Sequence, residues 1–319
     1  MTITTISGSD VSLRRLEPAD LDLADRICRV AFGTYMGVPQ PETFFGDADY
    51  VRTRSNAVNT VGLAAEMHGE LVGTNFVTSW GSVGFFGPLS VRVDLWDGGI
   101  ASALMKATME VFAGWETKHA ALFTWSDSAK HHRLYQKFGF YPTFLTAIMS
   151  KPARATEAAP FRLLSEASAD RDEMLDACRR IAGAIYPGLD LSGEIRSAID
   201  RRLGDVVVID DGNEPVGFAV CHVGSGTEAG GGACFVKFGA VHPATDAPER
   251  FDALLEACAT FAGQRSVDRL VAGMNMGRLH AYRLMVERGF RTDLTGVAMQ
   301  QAGDHGYNRS DAFVIDDWR

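Results

Sequence analysis

The chain has 319 residues, a formal net charge of −9, 46% hydrophobic and 22% charged residues. That length suits two domains of ordinary size, and the composition is globular, able to bury a core. The acidic balance argues against nucleic acid as a partner and favours neutral or cationic small substrates. No apolar run reaches the length of a membrane span, so no membrane partner is expected. The stretch Met1 to Thr5 has neither the basic start nor the apolar core of an export signal. Cys28, Cys178, Cys221, Cys234 and Cys258 fall in apolar segments without a Cys-x-x-Cys pair, so reduced, buried thiols of a cytoplasmic protein are expected. The histidines show no ligand spacing, and no metal is expected.

In chain order, Ser12 to Leu16 reads as a strand leading to a helix rich in Asp and Arg. Gly33 to Phe45, with Pro39 and Pro41, reads as a loop able to cover a pocket. Phe32, Tyr35, Phe44, Phe45, Trp80 and Phe85 come before or around the glycine-containing stretch that follows, as core or as pocket lining. Gly62 to Glu66 turns at His68-Gly69-Glu70 into Val72 to Ser79, a hairpin pattern. Leu89, Val91 and Val93 alternate with Ser90 and Arg92, the period of a strand. Gly98 and Gly99 then break the pattern, and Ile100, Leu104, Ala107 and Val111 step at helical spacing. A helix that opens on glycines presents unpaired N–H groups and positive dipole, a site suited to phosphate oxygens. Pro88 fits poorly in a regular central strand and is expected at a bulge, where main-chain groups are freed. A strand (Ala120 to Trp125), a helix ending at Gly139-Phe140 and a last strand complete the unit.

The unit then recurs. Cys28-Arg29 returns as Cys178-Arg179, Val91 as Val241, Ala103-Leu104 as Ala253-Leu254 and Gly139-Phe140 as Gly289-Phe290, always 150 positions on (178 − 28, 241 − 91, 253 − 103, 289 − 139). Phe161 to Leu164, Val206 to Ile209, Val216 to Val223 and Leu270 to Gly273 repeat the strands. Lys151 to Pro160, rich in proline and small residues, reads as the linker, and Gly224 to Gly232 as a flexible hairpin loop. Beyond the repeat, Phe313-Val314-Ile315 is either a strand pairing with a domain or another subunit, or part of a solvated tail.

The stretch from Gly87 to Leu104 resembles the GNAT acetyltransferase superfamily, whose pattern is a strand followed by Gln/Arg-x-x-Gly-x-Gly/Ala. Gly99 and Ala101 take the Gly-x-Gly/Ala places; Trp96 stands for the usual Gln or Arg, Asp97 for a common Gly and Val93 for a common Pro. Leu134-Tyr135-x-Lys137-x-Gly139-Phe140 is the more specific family mark. The resemblance implies an α/β (α+β) fold of two tandem GNAT-like domains, each a mixed central sheet flanked by helices. Their expected bounds are 1–150 and 161–302, with a linker at 151–160 and a tail at 303–319. It implies that acetyl-CoA is the cosubstrate. Main-chain groups around Leu89, Ser90 and Val91 would meet its pantetheine arm, and the turn Trp96, Asp97, Gly98, Gly99, Ile100, Ala101 and Ser102 its pyrophosphate. Ser128 holds the place of the family's Asn, seven residues before Tyr135, and Tyr135 would protonate the departing sulfur.

Acetyl transfer to an amine needs a proton acceptor, a donor for the thioester oxygen and an acid for the thiolate. A main-chain N–H of the central strand is expected as the oxygen's donor. The base is not identifiable; Glu66, Asp127 and His119 are candidates, with Asp127 equally a helix cap. His131 and His132 are expected on a solvated face, and Lys130 and Arg133 near a phosphate or exposed. In the second copy Ala247-Pro248-Glu249-Arg250-Phe251 replaces the glycine turn and Met285 stands opposite Tyr135, so that copy is expected to bind no coenzyme. The reading is an acetyl-CoA-dependent N-acetyltransferase acting on a small-molecule amine. Its rival, motivated by Trp96 and Asp97, is a non-catalytic acyl-CoA-sensing or interaction module; a third reading is a structural pseudoenzyme.

Overall fold

A computed structural model describes residues 11–154, 160–167, 170–212, 214–301, 303 and 305–319. The middle of the expected linker, the first ten residues and Asn213, which lies in sequence between the strands expected at 206–209 and 216–223, are outside the described residues.

The first half runs β1 (Val11–Arg15), α1 (Leu21–Tyr35), α2 (Tyr50–Ser55), β2 (Thr60–Met67), β3 (Glu70–Trp80), β4 (Val83–Phe86), β5 (Ser90–Val91), α3 (Ile100–Gly114), β6 (His119–Trp125), α4 (Ala129–Gln136) and β7 (Phe140–Pro152). The second runs β8 (Arg162–Leu163), α5 (Arg171–Ile185), α6 (Ser192–Asp200), β9 (Gly204–Asp211), β10 (Glu214–Gly224), β11 (Gly230–Val241), α7 (Ala247–Gln264), β12 (Arg269–Asn275), α8 (Leu279–Glu287) and β13 (Arg291–Gln301), and β14 (Val314–Ile315) follows. The order of elements is the same in both halves except that β4 and β5 stand where β11 is continuous.

Local chemistry accounts for these elements. In α1, Ala24, Ile27, Cys28 and Ala31 are buried at helical spacing. The β2–β3 turn puts His68 and Gly69 at positive φ (54° and 81°), the geometry that matches strand twist in a two-residue hairpin. Gly73 lets α3 close on β3: a Cβ there would lie 3.0 Å from the Ser90 carbonyl and 3.3 Å from both Ile100 and Leu104. All five cysteines are free and buried, as expected, and burial pushes the Cys28 thiol up to about 12.

The halves are built into one mixed sheet ordered β1-β2-β3-β4-β6-β13-β7-β12-β11-β10-β9-β8. Each half gives its last strand to the other. β13 pairs with β6 (Met299 opposite Leu122), β7 pairs with β12 (Ala272 opposite Met149), and β7 and β13 lie antiparallel between them. Alternating residues therefore send buried side chains from both halves into shared cores. Trp80, Val83 and Phe85 pack with Ile181, Leu191, Val208 and Phe238. A polar seam crosses the same boundary, where Trp80 Nε1 donates to Glu194 Oε1 at 3.0 Å and Arg201 donates to the carbonyls of Thr53 and Arg52 at 2.6 and 3.1 Å. The expected flexible loop before β11 is instead docked on the first half. The Asp49 N–H donates to the Thr227 carbonyl (3.0 Å), the Gly226 N–H to the Asp47 carbonyl (2.9 Å) and the Gly231 N–H to Asp47 Oδ1 (2.7 Å).

The parallel pairs β4–β6 and β11–β12 both come apart part-way along. The last pairs are Phe85 opposite Ala121 and Val236 opposite Ala272. In the second half the chain's own tail fills the opening. β14 pairs antiparallel with β11 (Ala240 opposite Val314, Gly239 opposite Ile315), the Val241 N–H donates to the Phe313 carbonyl, and Asp316 bridges to Met274 of β12. Phe313 packs on Phe251 at 5.5 Å between centroids. Arg278, fully buried, donates to the Val314 carbonyl (2.6 Å) and to Asp316 Oδ1 (2.7 Å). Tyr307 donates to Asp316 Oδ2 at 2.6 Å and accepts from Trp318 Nε1 at 3.0 Å. The tail is a packed strand of the fold.

Two predictions follow from this packing. Phe313→Ala should cost about 3 kcal/mol, since a buried ring is lost from a site held by its neighbours; urea unfolding with an unchanged slope would measure it, and a loss under about 1 kcal/mol would contradict the packing role. His222 is buried, neither ring nitrogen has a partner among the described residues, and burial lowers its pKa to about 4. The unfolded chain binds that proton near pH 6.5 and the folded chain does not until pH 4. Stability present above pH 6.5 should thus fall by about 3 kcal/mol between pH 6.5 and 4. A His222→Gln protein should show a correspondingly shallower acid limb in thermal melts.

Candidate active site

In the first half the same opening lies between β5 and β6. β5 bonds only to β3: the Arg92 N–H donates to the Val72 carbonyl at 2.9 Å, in the same phase as Thr74 opposite Ser90. Antiparallel alternation then turns the main-chain groups of Leu89 and Val91 away from β3, toward the opening. The Leu89 N–H meets no main-chain partner among the described residues. Pro88 sits in the break between β4 and β5, following a cis Gly87–Pro88 peptide, so the expected irregularity is a complete interruption of the strand. Ser90 faces the other way; its hydroxyl is 3.0 Å from that of Thr74, inside the core.

Beyond β5, the turn from Trp96 to Gly99 delivers the start of α3. Gly99 is the N-cap in the left-handed region (φ 84°), with no side chain capping the helix. The N–H groups of Ile100, Ala101 and Ser102 in the first helical turn are therefore left without an intrahelical partner. The Gly98 N–H is turned back to the Leu95 carbonyl at 3.2 Å. Ile100 is buried and anchors the turn to β3. Asp97, at φ 65°, is not a cap: its carboxylate reaches solvent and pairs with Lys130 at 3.0 Å. Lys130 also lies 5.2 Å from the Trp96 ring centroid. The indole N–H of Trp96 donates to the Val91 carbonyl at 2.9 Å, so one main-chain acceptor on the opening is already engaged.

Tyr135 enters from α4, 7% exposed and edge-on to Phe86 at 5.6 Å. Burial raises its pKa, so the phenol is neutral at physiological pH. No hydrogen bond to its hydroxyl is found among the described residues. Ser128 is the N-cap of α4, its hydroxyl accepting from the His131 N–H at 3.4 Å; the cap is this serine and not Asp127. His131 departs from expectation. It is half-buried beside Tyr35 (5.1 Å) and Tyr135 (6.3 Å), and burial, with help from Lys130 and His132, lowers its pKa. Tyr35 also stacks on Trp125 at 5.9 Å.

The candidate bases are scattered. Glu66 accepts from Arg14 at 3.0 Å on the β1–β2 edge. His119 begins β6, about 20 Å along the strand from Trp125, and packs at 5.4 Å from Trp318. Asp127 is exposed in the turn before α4. Of the aromatics, Trp80 and Phe85 are core, while Phe32, Phe44, Phe45 and Tyr50 form a cluster under the segment after α1. That segment is pinned: Arg29 donates to the carbonyls of Phe44, Gly46 and Ala48 at 2.7, 2.8 and 2.8 Å.

A buried charged cluster that sequence reasoning missed stands at the strand break. Arg54 makes a two-pronged pair with Glu228 (Nε–Oε1 3.0 Å, Nη2–Oε2 3.0 Å) and donates to the Gly87 carbonyl and to a main-chain oxygen of Arg319. Lys237 adds a bond to Glu228 Oε2 at 2.7 Å and lies over Phe85. Burial alone would raise the Glu228 pKa, but Arg54 and Lys237 outweigh it and hold the carboxylate well below its usual range. Lys237 was the legible signal, a lone cation inside the apolar run Ala233 to Val241.

Comparisons with known proteins bear on the family and the fold. The family described as Acetyltransferase (GNAT) family matches residues 28–140. No curated protein sequence matches the chain. Among solved structures, a presumed acetyltransferase from Pyrococcus horikoshii is similar over 98% of this chain and 97% of its own, with 13% identity and a TM-score of 0.67. A GCN5-related N-acetyltransferase from Sphaerobacter thermophilus is similar over 93% and 96%, with 15% identity and a TM-score of 0.58. At such identities these likenesses speak for the fold. The parted strands, the glycine-opened helix and Tyr135 of the first half all fall within residues 28–140, the span that matches the GNAT acetyltransferase family.

Proposed function

We propose that the first half binds acetyl-CoA and transfers its acetyl group to the amine of a small molecule, and that the second half binds no coenzyme. The observation that carries this reading is the pair of parted strands. In the second half an extended peptide, β14, fills the opening by pairing along the strand edge. In the first half the equivalent edge offers the Leu89 and Val91 main chain to an extended, amide-bearing partner, which is the chemistry of a pantetheine arm. The free amides of Ile100, Ala101 and Ser102, at the positive end of α3, suit its pyrophosphate. Lys130 neutralises Asp97, which removes the repulsion that carboxylate would exert on the phosphates.

On this reading a neutral amine attacks the thioester carbon, and the Leu89 N–H faces the oxygen on which charge develops. Tyr135, held neutral by burial, gives its proton to the sulfur as the carbon–sulfur bond breaks. The acidic chain and the aromatic surface of Tyr35 and Trp125 favour a small amine, neutral or cationic, as acceptor. In the second half Met285 supplies no proton and Phe251 packs where the glycine turn would open. A second reading, a non-catalytic acyl-CoA-binding module, has the Trp96 bond to Val91 in its favour. Release of free thiol across an amine panel separates the two.

Calorimetric titration with acetyl-CoA tests the reading directly. Tyr135→Phe should keep the binding constant and lower kcat roughly a hundredfold; an unchanged kcat would remove Tyr135 from the chemistry. Trp96→Phe frees the Val91 carbonyl and should tighten binding about fivefold, the worth of one hydrogen bond. Gly99→Glu should abolish binding, because it adds a side chain at positive φ and a negative charge beside the amides. Binding that survived this change would move the nucleotide elsewhere.

A further inference from the structure

We infer that Glu228, a residue of the second half, is a positioning residue for the first half's strand break, acting through Arg54 on the Gly87 carbonyl. The inference rests on the acetyl-CoA reading above but concerns a different part of the molecule. Gly87 is where β4 stops: its N–H still donates to the Phe76 carbonyl at 2.8 Å, the last main-chain bond to β3 before the break. Its carbonyl is taken by Arg54, which comes from α2. Two residues on stands the Leu89 N–H, so the orientation of the Gly87 carbonyl fixes how the strand edge leaves β4 and where that amide points.

Arg54 is itself placed from the far half. Its side chain and that of Glu228 are 3% and 2% exposed, and the two-pronged pair fixes the plane of the guanidinium. Glu228 is fixed in turn by Lys237 and by a loop seated on Asp47 and Asp49. The Arg319 main-chain oxygen takes a further guanidinium N–H, which ties the tail to the same point. Buried ion pairs of this kind add little to stability compared with apolar side chains of similar volume. A role in holding one backbone geometry accounts for the cluster better than a role in stability. The half that is expected to bind no coenzyme thereby helps to shape the site of the half that does.

The test separates the strand edge from the glycine turn. Two ligands are titrated: acetyl-CoA, which would meet both, and 3′-phosphoadenosine 5′-diphosphate, its nucleotide portion, which would meet only the turn. Two proteins are compared with the parent. Arg54→Lys keeps the charge without the planar fork. The triple change Arg54→Met, Glu228→Leu, Lys237→Met removes all three charges together and leaves none buried alone, which keeps a folded protein available. Both should melt cooperatively, bind the nucleotide portion as the parent does and bind acetyl-CoA about tenfold more weakly, the worth of a lost or misaimed hydrogen bond or two. If a folded variant of either kind binds acetyl-CoA within twofold of the parent, or loses both ligands equally, the positioning role is wrong. If the parent itself binds neither ligand, the acetyl-CoA reading fails first, and the inference with it.

Discussion

The structure depends on a hydrogen-bonding constraint at its centre: no strand edge there can be left unpaired in a buried sheet. Each half gives up its last strand, and the β6-β13-β7-β12 ladder pairs the edges that β6 and β12 would otherwise expose. The exchange makes the halves inseparable. Gly81 bridges to Leu189 and Trp80 bonds Glu194 of α6 across the boundary, and cores such as that around Trp80 draw side chains from both halves. Such a ladder also fixes the distance and angle between the two crevices, since a sheet transmits position along its backbone bonds.

Within this frame the halves differ through one device. Both contain a pair of parallel strands that part at the same place, after Phe85–Ala121 and after Val236–Ala272. Parting strands leave main-chain groups without partners, and something must supply them. In the second half a peptide does so, locked by Arg278, Tyr307 and Phe251. In the first half the strand is interrupted at Gly87–Pro88, the following edge faces outward, and the helix beyond it begins on a glycine. One opening is closed by folding, and in the other β5 keeps an outer edge with no strand paired to it among the described residues. The same backbone geometry thus yields a structural joint in one half and a candidate binding groove in the other.

Electrostatics refine that difference. Around the groove, charges that look unfavourable in isolation are matched: Asp97 by Lys130, Glu228 by Arg54 and Lys237. The matched sets differ in kind. Asp97 and Lys130 are exposed, and their mutual attraction is screened and adjustable. The Arg54 cluster is buried, where an unpaired charge is intolerable, so its geometry is fixed by the fold.

Much of the architecture was legible in the sequence because it is local. Alternation in Leu89 to Val93, the glycine turn and the helical spacing from Ile100 act within a few residues, and the offset of 150 announced a second unit of the same pattern. The turn at Gly99 and the placement of Tyr135 on a short helix before Gly139-Phe140 appear where those patterns put them, whereas the strand expected over Leu89 to Val93 is cut to Ser90–Val91, because Val93–Leu95 coils into a 3-10 turn. What the sequence could not show is which edge each strand meets, because strand pairing is a contact between residues far apart whose backbones carry the same hydrogen-bonding groups. Hence the exchange of β7 and β13 and the seating of the tail beside β11 were decided only by tertiary structure, and so were the docking of the Glu228 loop and the burial of His131. Arg54 makes the point most simply: in the sequence it is one arginine in a short polar helix, and only the arrival of Glu228 from 174 residues away turns it into the group that holds the Gly87 carbonyl.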